Sequence, residues 1–121
     1  MKNQTRNFLC SFLLIGIIAA GVQAAAISKL ETLTVKTSAI CESCKARIEK
    51  ALKNVDGVQA AILNLNNKKI KIKYDASKTN PDQLRLAIAN SGYDADDVKR
   101  NEEAFKHLPM CCQNPEKEDM H

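Results

Sequence analysis

The chain has no tryptophan, and aromatic residues make up only 4% of its 121 positions. Any core must therefore be aliphatic. The scarcity also argues against base-stacking nucleic-acid modules, which need exposed Phe, Tyr or Trp platforms. There is no phosphate-cradling Walker loop, no GxGxxG and no H-E-x-x-H. Only two histidines occur, His107 and His121. Both lie outside the central part of the chain, so a Cys–His nucleophile pair has no support. The length suits one domain and is too short for a two-lobed enzyme with a cleft between its halves. An apolar content of 45% is ordinary for a globular protein and argues against global disorder.

What is abundant is cysteine: five residues, an odd number. The N-terminal segment accounts for one of them. Lys2 and Arg6 precede a nearly unbroken apolar run from Phe8 to Val22, and small residues follow through Ala24 to Ala26. Basic start, apolar middle and small-residue end are the order of a secretory signal peptide. The run is about 15 residues, shorter than the roughly 20 that a spanning helix needs. Residues 1–24 are thus expected to be removed, with cleavage after Ala24 or Ala26. The protein is expected to be exported to a bacterial periplasm, meeting a membrane only through an uncleaved signal. Cys10 lies at the start of the apolar run, where a lipidated cysteine would not stand, and leaves with the signal.

Removal of that segment leaves 16 basic and 14 acidic residues, a net charge of +2. Such a near-neutral chain weakens a polybasic nucleic-acid reading, and no nucleic-acid partner is expected. Four cysteines remain: Cys41, Cys44, Cys111 and Cys112. In an exported protein they suit two disulfides or soft-metal ligation.

Periodicity orders the mature chain. Residues 31–37 alternate as a half-buried strand, with Leu33 and Val35 on one face. Ser43 to Asn54 reads as an amphipathic helix carrying Ile48, Ala51 and Leu52 inward, with Glu49 and Lys53 as an i,i+4 pair. Asp56-Gly57 is a turn signal. Val58 to Leu65 is a second strand, and Asn66-Asn67 is read as the hairpin turn because Asn tolerates positive φ. Lys69 to Tyr74 alternates strictly, its lysines forming a solvated face that resists edge-to-edge aggregation and could also dock an acidic partner. Asn80-Pro81-Asp82-Gln83 is a helix start: a cap, a proline at the first helical position and an acid at the positive end. Gly92 follows as a left-handed cap. Residues 95–99 are read as a weak fourth strand, and 102–108 as a short helix stopped by Pro109. The tail from Pro115 to His121 is polar and expected to be disordered.

The order β-α-β-β-α-β is the α+β, ferredoxin-like split βαβ architecture. It spans residues 30–99, followed by a C-terminal helix and cysteine tail over 100–121.

Cys41-Glu42-Ser43-Cys44 falls where the first strand becomes the first helix. The helix N-terminus stabilises thiolate, and the two-residue gap lets both sulfurs turn to one point. Thiolates select soft ions. By itself CxxC leaves metal binding, redox chemistry and a structural disulfide open. Thioredoxin-like proteins place the motif in a different order of elements, commonly beside Trp and opposite a cis-Pro; here Trp is absent and Pro81 opens a helix.

CxxC at the first βα junction of βαββαβ resembles the heavy-metal-associated (HMA) domain. The family includes copper chaperones, a mercury-binding periplasmic protein and modules of metal-transporting ATPases. The resemblance covers about Leu30 to Lys99. It is carried by Cys41-Glu-Ser-Cys44, Ile48-x-x-x-Leu52, Val55-x-Gly57-Val58 and Asn90-Ser-Gly-Tyr93. It implies that Cys41 and Cys44 are the metal-binding thiolates. It places Tyr93 beside the metal loop, shielding the ion, with a core-packing tyrosine as the alternative. The family's usual Gly-Met-Thr before the first cysteine is Ser38-Ala39-Ile40 here. The missing methionine implies a looser loop, and copper specificity does not carry over with the motif.

Cys111 and Cys112 lie beyond the usual domain end. A vicinal disulfide strains its peptide, so a structural bond between them is disfavoured. From the fourth strand the chain must return about 16 Å, at roughly 3.3 Å per residue. A seven-residue helix supplies roughly 10 Å, and Pro109 to Cys111 about 10 Å more. Cys111 and Cys112 can thus reach Cys41 and Cys44, adding thiolates to the same ion or receiving it. Met110 and His107 are weaker candidates. Two thiolates favour linear Cu(I) or Hg(II), and four favour Zn(II) or a small Cu(I) cluster.

The sequence therefore describes an exported binding protein, not an enzyme. It takes a soft ion, Cu(I) first and Hg(II) or Zn(II) as alternatives, and hands it to a metal transporter or another metal-binding protein. It is expected to be monomeric, with a metal-bridged dimer as the alternative. A thiol–disulfide oxidoreductase using the same pair, and a metal-sequestering sink, are the rivals.

Overall fold

The computed structural model describes residues 28–113. The signal segment, Cys10 and the tail from Pro115 lie outside the described residues. Within them run β1 (Leu30–Lys36), α1 (Glu42–Lys53), β2 (Val58–Asn64), β3 (Lys69–Asp75), α2 (Pro81–Asn90), α3 (Glu102–Lys106) and α4 (Met110–Gln113). No helix among them is long and apolar enough to cross a membrane.

The strands form one antiparallel sheet in the order β1-β3-β2. Ile70, Ile72 and Tyr74 of central β3 are buried, whereas Lys69, Lys71 and Lys73 on its other face are exposed. Alternation alone therefore decides which face of the sheet the helices cover. Leu63 of β2 and Val35 of β1 join that buried face. The helices meet it with Cys44, Ile48 and Leu52 of α1 and with Leu84 and Ile88 of α2. Each such aliphatic side chain contributes about 1.5–3 kcal/mol by leaving water.

The helix starts follow the sequence signals. Asn80 Oδ1 accepts from the Gln83 amide at 3.0 Å, with Pro81 in the first turn. Gly92 adopts φ +100°, closing α2 in the left-handed region.

Several details differ from the sequence reading. The fourth strand of the ferredoxin-like fold shrinks to bridges: Ala95 pairs with Thr37 at the end of β1 and with Val98 in its own turn. Val98 is its one large apolar residue, and Asp96 takes φ +53°, which ends extended pairing. Asp96 instead bonds β1 twice, accepting from the Lys36 amide at 2.9 Å and donating to the Lys36 carbonyl at 2.9 Å. In the β2–β3 hairpin it is Lys68, not an asparagine, that takes positive φ, at +58°. Asn64 and Asn67 serve as side-chain acceptors for the Asn66 and Lys69 amides, both at 2.9 Å.

Glu49 does not pair with Lys53. Its carboxylate accepts from the Leu63 amide at 2.8 Å, satisfying a donor on the outer edge of β2. Finally, Pro109 does not end the helical structure. Its carbonyl accepts from the Cys112 amide at 2.9 Å, and α4 begins at the next residue.

Candidate metal centre

The loop between β1 and α1 carries the CxxC pair. β1 ends at Lys36, and Thr37 then fixes the exit: its amide and its hydroxyl both donate to the Lys68 carbonyl, at 2.8 and 3.1 Å. The same hydroxyl accepts from the Ala39 amide at 3.3 Å. Ser38 Oγ accepts from the Asp94 amide at 2.9 Å, tying the loop to the segment that carries Tyr93. Ala39, at the position where the family's methionine is expected, is wholly buried. Two hydroxyls thus hold the loop, a role that Thr37 and Ser38 did not disclose in the sequence.

Cys41 is the N-cap residue of α1, in extended conformation, and its carbonyl accepts the first helical bond from Lys45 at 3.1 Å. Cys44 sits one turn inside. The two sulfurs are 3.1 Å apart. All four described cysteines are free thiols.

The tail reaches this loop. Cys112 Sγ lies 3.7 Å from Cys41 Sγ and 4.0 Å from Cys111 Sγ. The sulfurs of Cys41, Cys111 and Cys112 all lie within 4.8 Å of one another. Exposure is graded across the cluster: Cys111 is half-buried, Cys41 is 5% and Cys112 4% exposed, and Cys44 is fully enclosed. His107 and Met110 stay outside. His107 is exposed and faces Glu103 at 3.5 Å, and Met110 is 57% exposed.

Cys41, Cys44 and Cys112 differ in acidity. Burial raises Cys41, and its bond with Cys44 adds to that. Burial pushes Cys44 up as well. The Ile40 backbone, the Cys112 and Cys41 sulfurs and the nearby Tyr93 hydroxyl together more than offset it, so this thiol lies below its ordinary value. Burial raises Cys112 strongly. Of these three, only the innermost sulfur is shifted toward the thiolate.

Tyr93 is 1% exposed. Its hydroxyl finds no well-aligned partner and faces Cys44 and Cys112. Burial and those sulfurs raise its own pKa, so it stays protonated as a donor. Tyr93 is thus both a core residue and a neighbour of the loop.

The tail is held by specific contacts. Asn101 caps α3 through the Ala104 amide at 2.9 Å, while its own amide donates to the Ala89 carbonyl at 2.8 Å. The Arg100 guanidinium lies 3.4 Å over the Phe105 ring. The Gln113 side-chain amide donates to the Lys106 and Leu108 carbonyls at 3.1 and 2.6 Å.

Residues 34–94 match the family described as the heavy-metal-associated domain. Over 54 residues the chain is 44% identical to the copper chaperone CopZ of Staphylococcus aureus (strain JH9), covering 45% of this chain and 79% of that protein. A solved CopZ metallochaperone superposes with a TM-score of 0.53 at 36% identity, covering 54% of this chain and 98% of its own. Oxidized MerP from Ralstonia metallidurans CH34 gives a TM-score of 0.55 at 25% identity, covering 56% of this chain and 96% of that one. The match to the family stops short of α3 and α4.

Proposed function

The chain belongs to the heavy-metal-associated domain family, and on that premise we propose that it captures Cu(I) at Cys41 and Cys44 and passes it on by thiolate exchange. The receiver is a metal transporter or a second metal-binding protein, as the similarity to copper chaperones suggests. The observation that carries this reading is the sulfur pair itself: two free thiols 3.1 Å apart at the start of a helix, the inner one with its pKa below the ordinary thiol value. Soft, low-coordinate Cu(I) suits such a pair better than a hard ion does. Each S–Cu bond formed releases one proton from its thiol, and exchange with an incoming thiolate needs no change of oxidation state.

The cargo is met outside the cytoplasm, in keeping with the signal-like order of residues 1–24. In that compartment the pair also has a disulfide form, which would silence it until reduced.

The oxidoreductase alternative fits less well. Attack on a substrate disulfide requires an accessible thiolate. Here the acidified sulfur, Cys44, is wholly buried, and burial raises the pKa of the outer Cys41, itself only 5% exposed.

Titration of the reduced protein with Cu(I) against a competing chelator tests the proposal. One ion per chain, lost in Cys41→Ser and Cys44→Ser together, is expected. Binding that survives the double substitution, or turnover in a disulfide-reduction assay without tight copper binding, overturns it.

A further inference from the structure

The residues matched to the family end at 94, yet the chain returns to the loop with two more sulfurs. That return is built. α3 crosses Gly92 so closely that a Cβ there would lie 3.1 Å from Leu108 Cδ1 and 3.1 Å from the Phe105 nitrogen. Leu108 is buried in the core, Gln113 grips two carbonyls of the preceding turn, and Cys112 is 4% exposed.

Sulfur spacing then discriminates between ligand sets. Three thiolates about 2.3 Å from one ion stand roughly 4.0 Å apart in a plane and roughly 3.8 Å apart on the edges of a tetrahedron. The Cys41–Cys112 and Cys111–Cys112 separations, 3.7 and 4.0 Å, already match. A linear pair with the same bonds would stand roughly 4.6 Å apart. Cys41 and Cys44, at 3.1 Å, must spread to hold an ion between them.

We propose that Cys41, Cys111 and Cys112 form a three-sulfur site for a single soft monovalent ion, sharing Cys41 with the CxxC pair. The proposal rests on the copper reading above and specifies how that cargo is held. Cys41 is the pivot. With Cys44 it makes the inner pair, and with the two tail sulfurs it makes an outer trio that opens to solvent at Cys111. An ion entering at Cys111 gains Cys112 and Cys41 and rests on these three sulfurs, where Cys44 stands ready to replace one tail sulfur when the ion is passed on. Each newly bound sulfur releases its proton to solvent, each displaced one takes a proton back, and copper stays monovalent throughout.

X-ray absorption at the copper edge on the reduced, monomeric protein, loaded with Cu(I) below one equivalent, tests the site. Three sulfur neighbours are expected in the wild type and in Cys44→Ser. Cys111→Ser and Cys112→Ala are each expected to show two, with Cu(I) affinity at least tenfold weaker in competition with a chelator. Cys111 is half-exposed, so its variant reports on coordination where the Cys112 variant fails to fold. Two sulfurs in the wild type, or three that persist in both tail variants, overturn the proposal while leaving capture by the CxxC pair intact. A wild-type protein that binds no Cu(I) overturns both.

Discussion

Gly92 and Leu108 meet at the point where the C-terminal segment crosses the end of α2. Gly92 stands at φ +100°, and a Cβ there would come within 3.1–3.2 Å of Leu108, the Phe105 nitrogen and the Ala104 carbonyl carbon. Gly92→Ala combines left-handed strain of about 1–2 kcal/mol with crowding of about 1–3 kcal/mol. A loss of about 2–5 kcal/mol by urea denaturation is expected, together with faster alkylation of Cys112 in the folded protein as α3 lifts. Unchanged Cys112 protection would show that the tail does not depend on this contact.

Ser38→Ala removes the acceptor for the Asp94 amide. The cost expected is about 1–2 kcal/mol, that of one unmade hydrogen bond in a part-buried place. The larger effect is expected at the loop: copper release to a chelator should quicken while the fold, followed by far-ultraviolet circular dichroism, stays intact. An unaltered release rate would mean that Thr37 alone fixes the loop.

Tyr93→Phe deletes a buried hydroxyl that lacks a well-aligned partner. Stability should hold or rise by up to about 1 kcal/mol, because a poorly satisfied polar group leaves the core. Cys44 loses one of the donors that lower its pKa. Its titration in the metal-free protein, followed by thiolate absorbance, should therefore move to higher pH, with less thiolate at any given pH. A titration identical to wild type would reduce Tyr93 to a packing residue.

Asp75 links β3 to the turn before α2. Its carboxylate accepts from the Ser77 hydroxyl at 2.6 Å and from the Ser77 amide at 2.9 Å, and these bonds hold its pKa below the ordinary aspartate value. A depressed folded-state pKa means that the unfolded chain takes up this proton first as the solution is acidified. Its contribution is complete above the ordinary aspartate value, about 3.9, and is lost as pH falls through the folded-state value. Asp75→Asn should flatten the stability–pH curve below about pH 4. An equally steep curve in the variant would assign the acid sensitivity elsewhere.

Much of the fold was legible because local chemistry and global packing agree. Asn80 and Pro81 could open only a helix, the alternation of residues 69–74 could only be a half-buried strand, and Gly92 was the residue free to turn left-handed. The CxxC pair was legible for the same reason, since it falls where strand period becomes helix period. What escaped the sequence depends on tertiary partners. Residues 95–99 alternate weakly, but Asp96 gains more by bonding Lys36 than by extending the sheet. Glu49 has Lys53 one turn away and a more demanding partner in the edge amide of Leu63. α3 ends at Lys106, ahead of Pro109, whose carbonyl opens the next helical turn. The spacing of Cys41 and Cys44 is symmetric between them, so their opposite acid shifts emerge only once Ile40, Tyr93 and Cys112 surround the inner sulfur.

The grip of Gln113 on the Lys106 and Leu108 carbonyls has a consequence for timing. With Cys112 seated against it, Cys41 offers only 5% of its surface to an incoming thiol. If copper is delivered as proposed, its release from Cys41 and Cys112 requires α4 to move, and Gln113→Ala is expected to quicken transfer to an acceptor followed by stopped flow; an unchanged rate would remove the glutamine from hand-over. On that reading retention is set by the sulfur ligands, and the pace of hand-over also by one glutamine side chain.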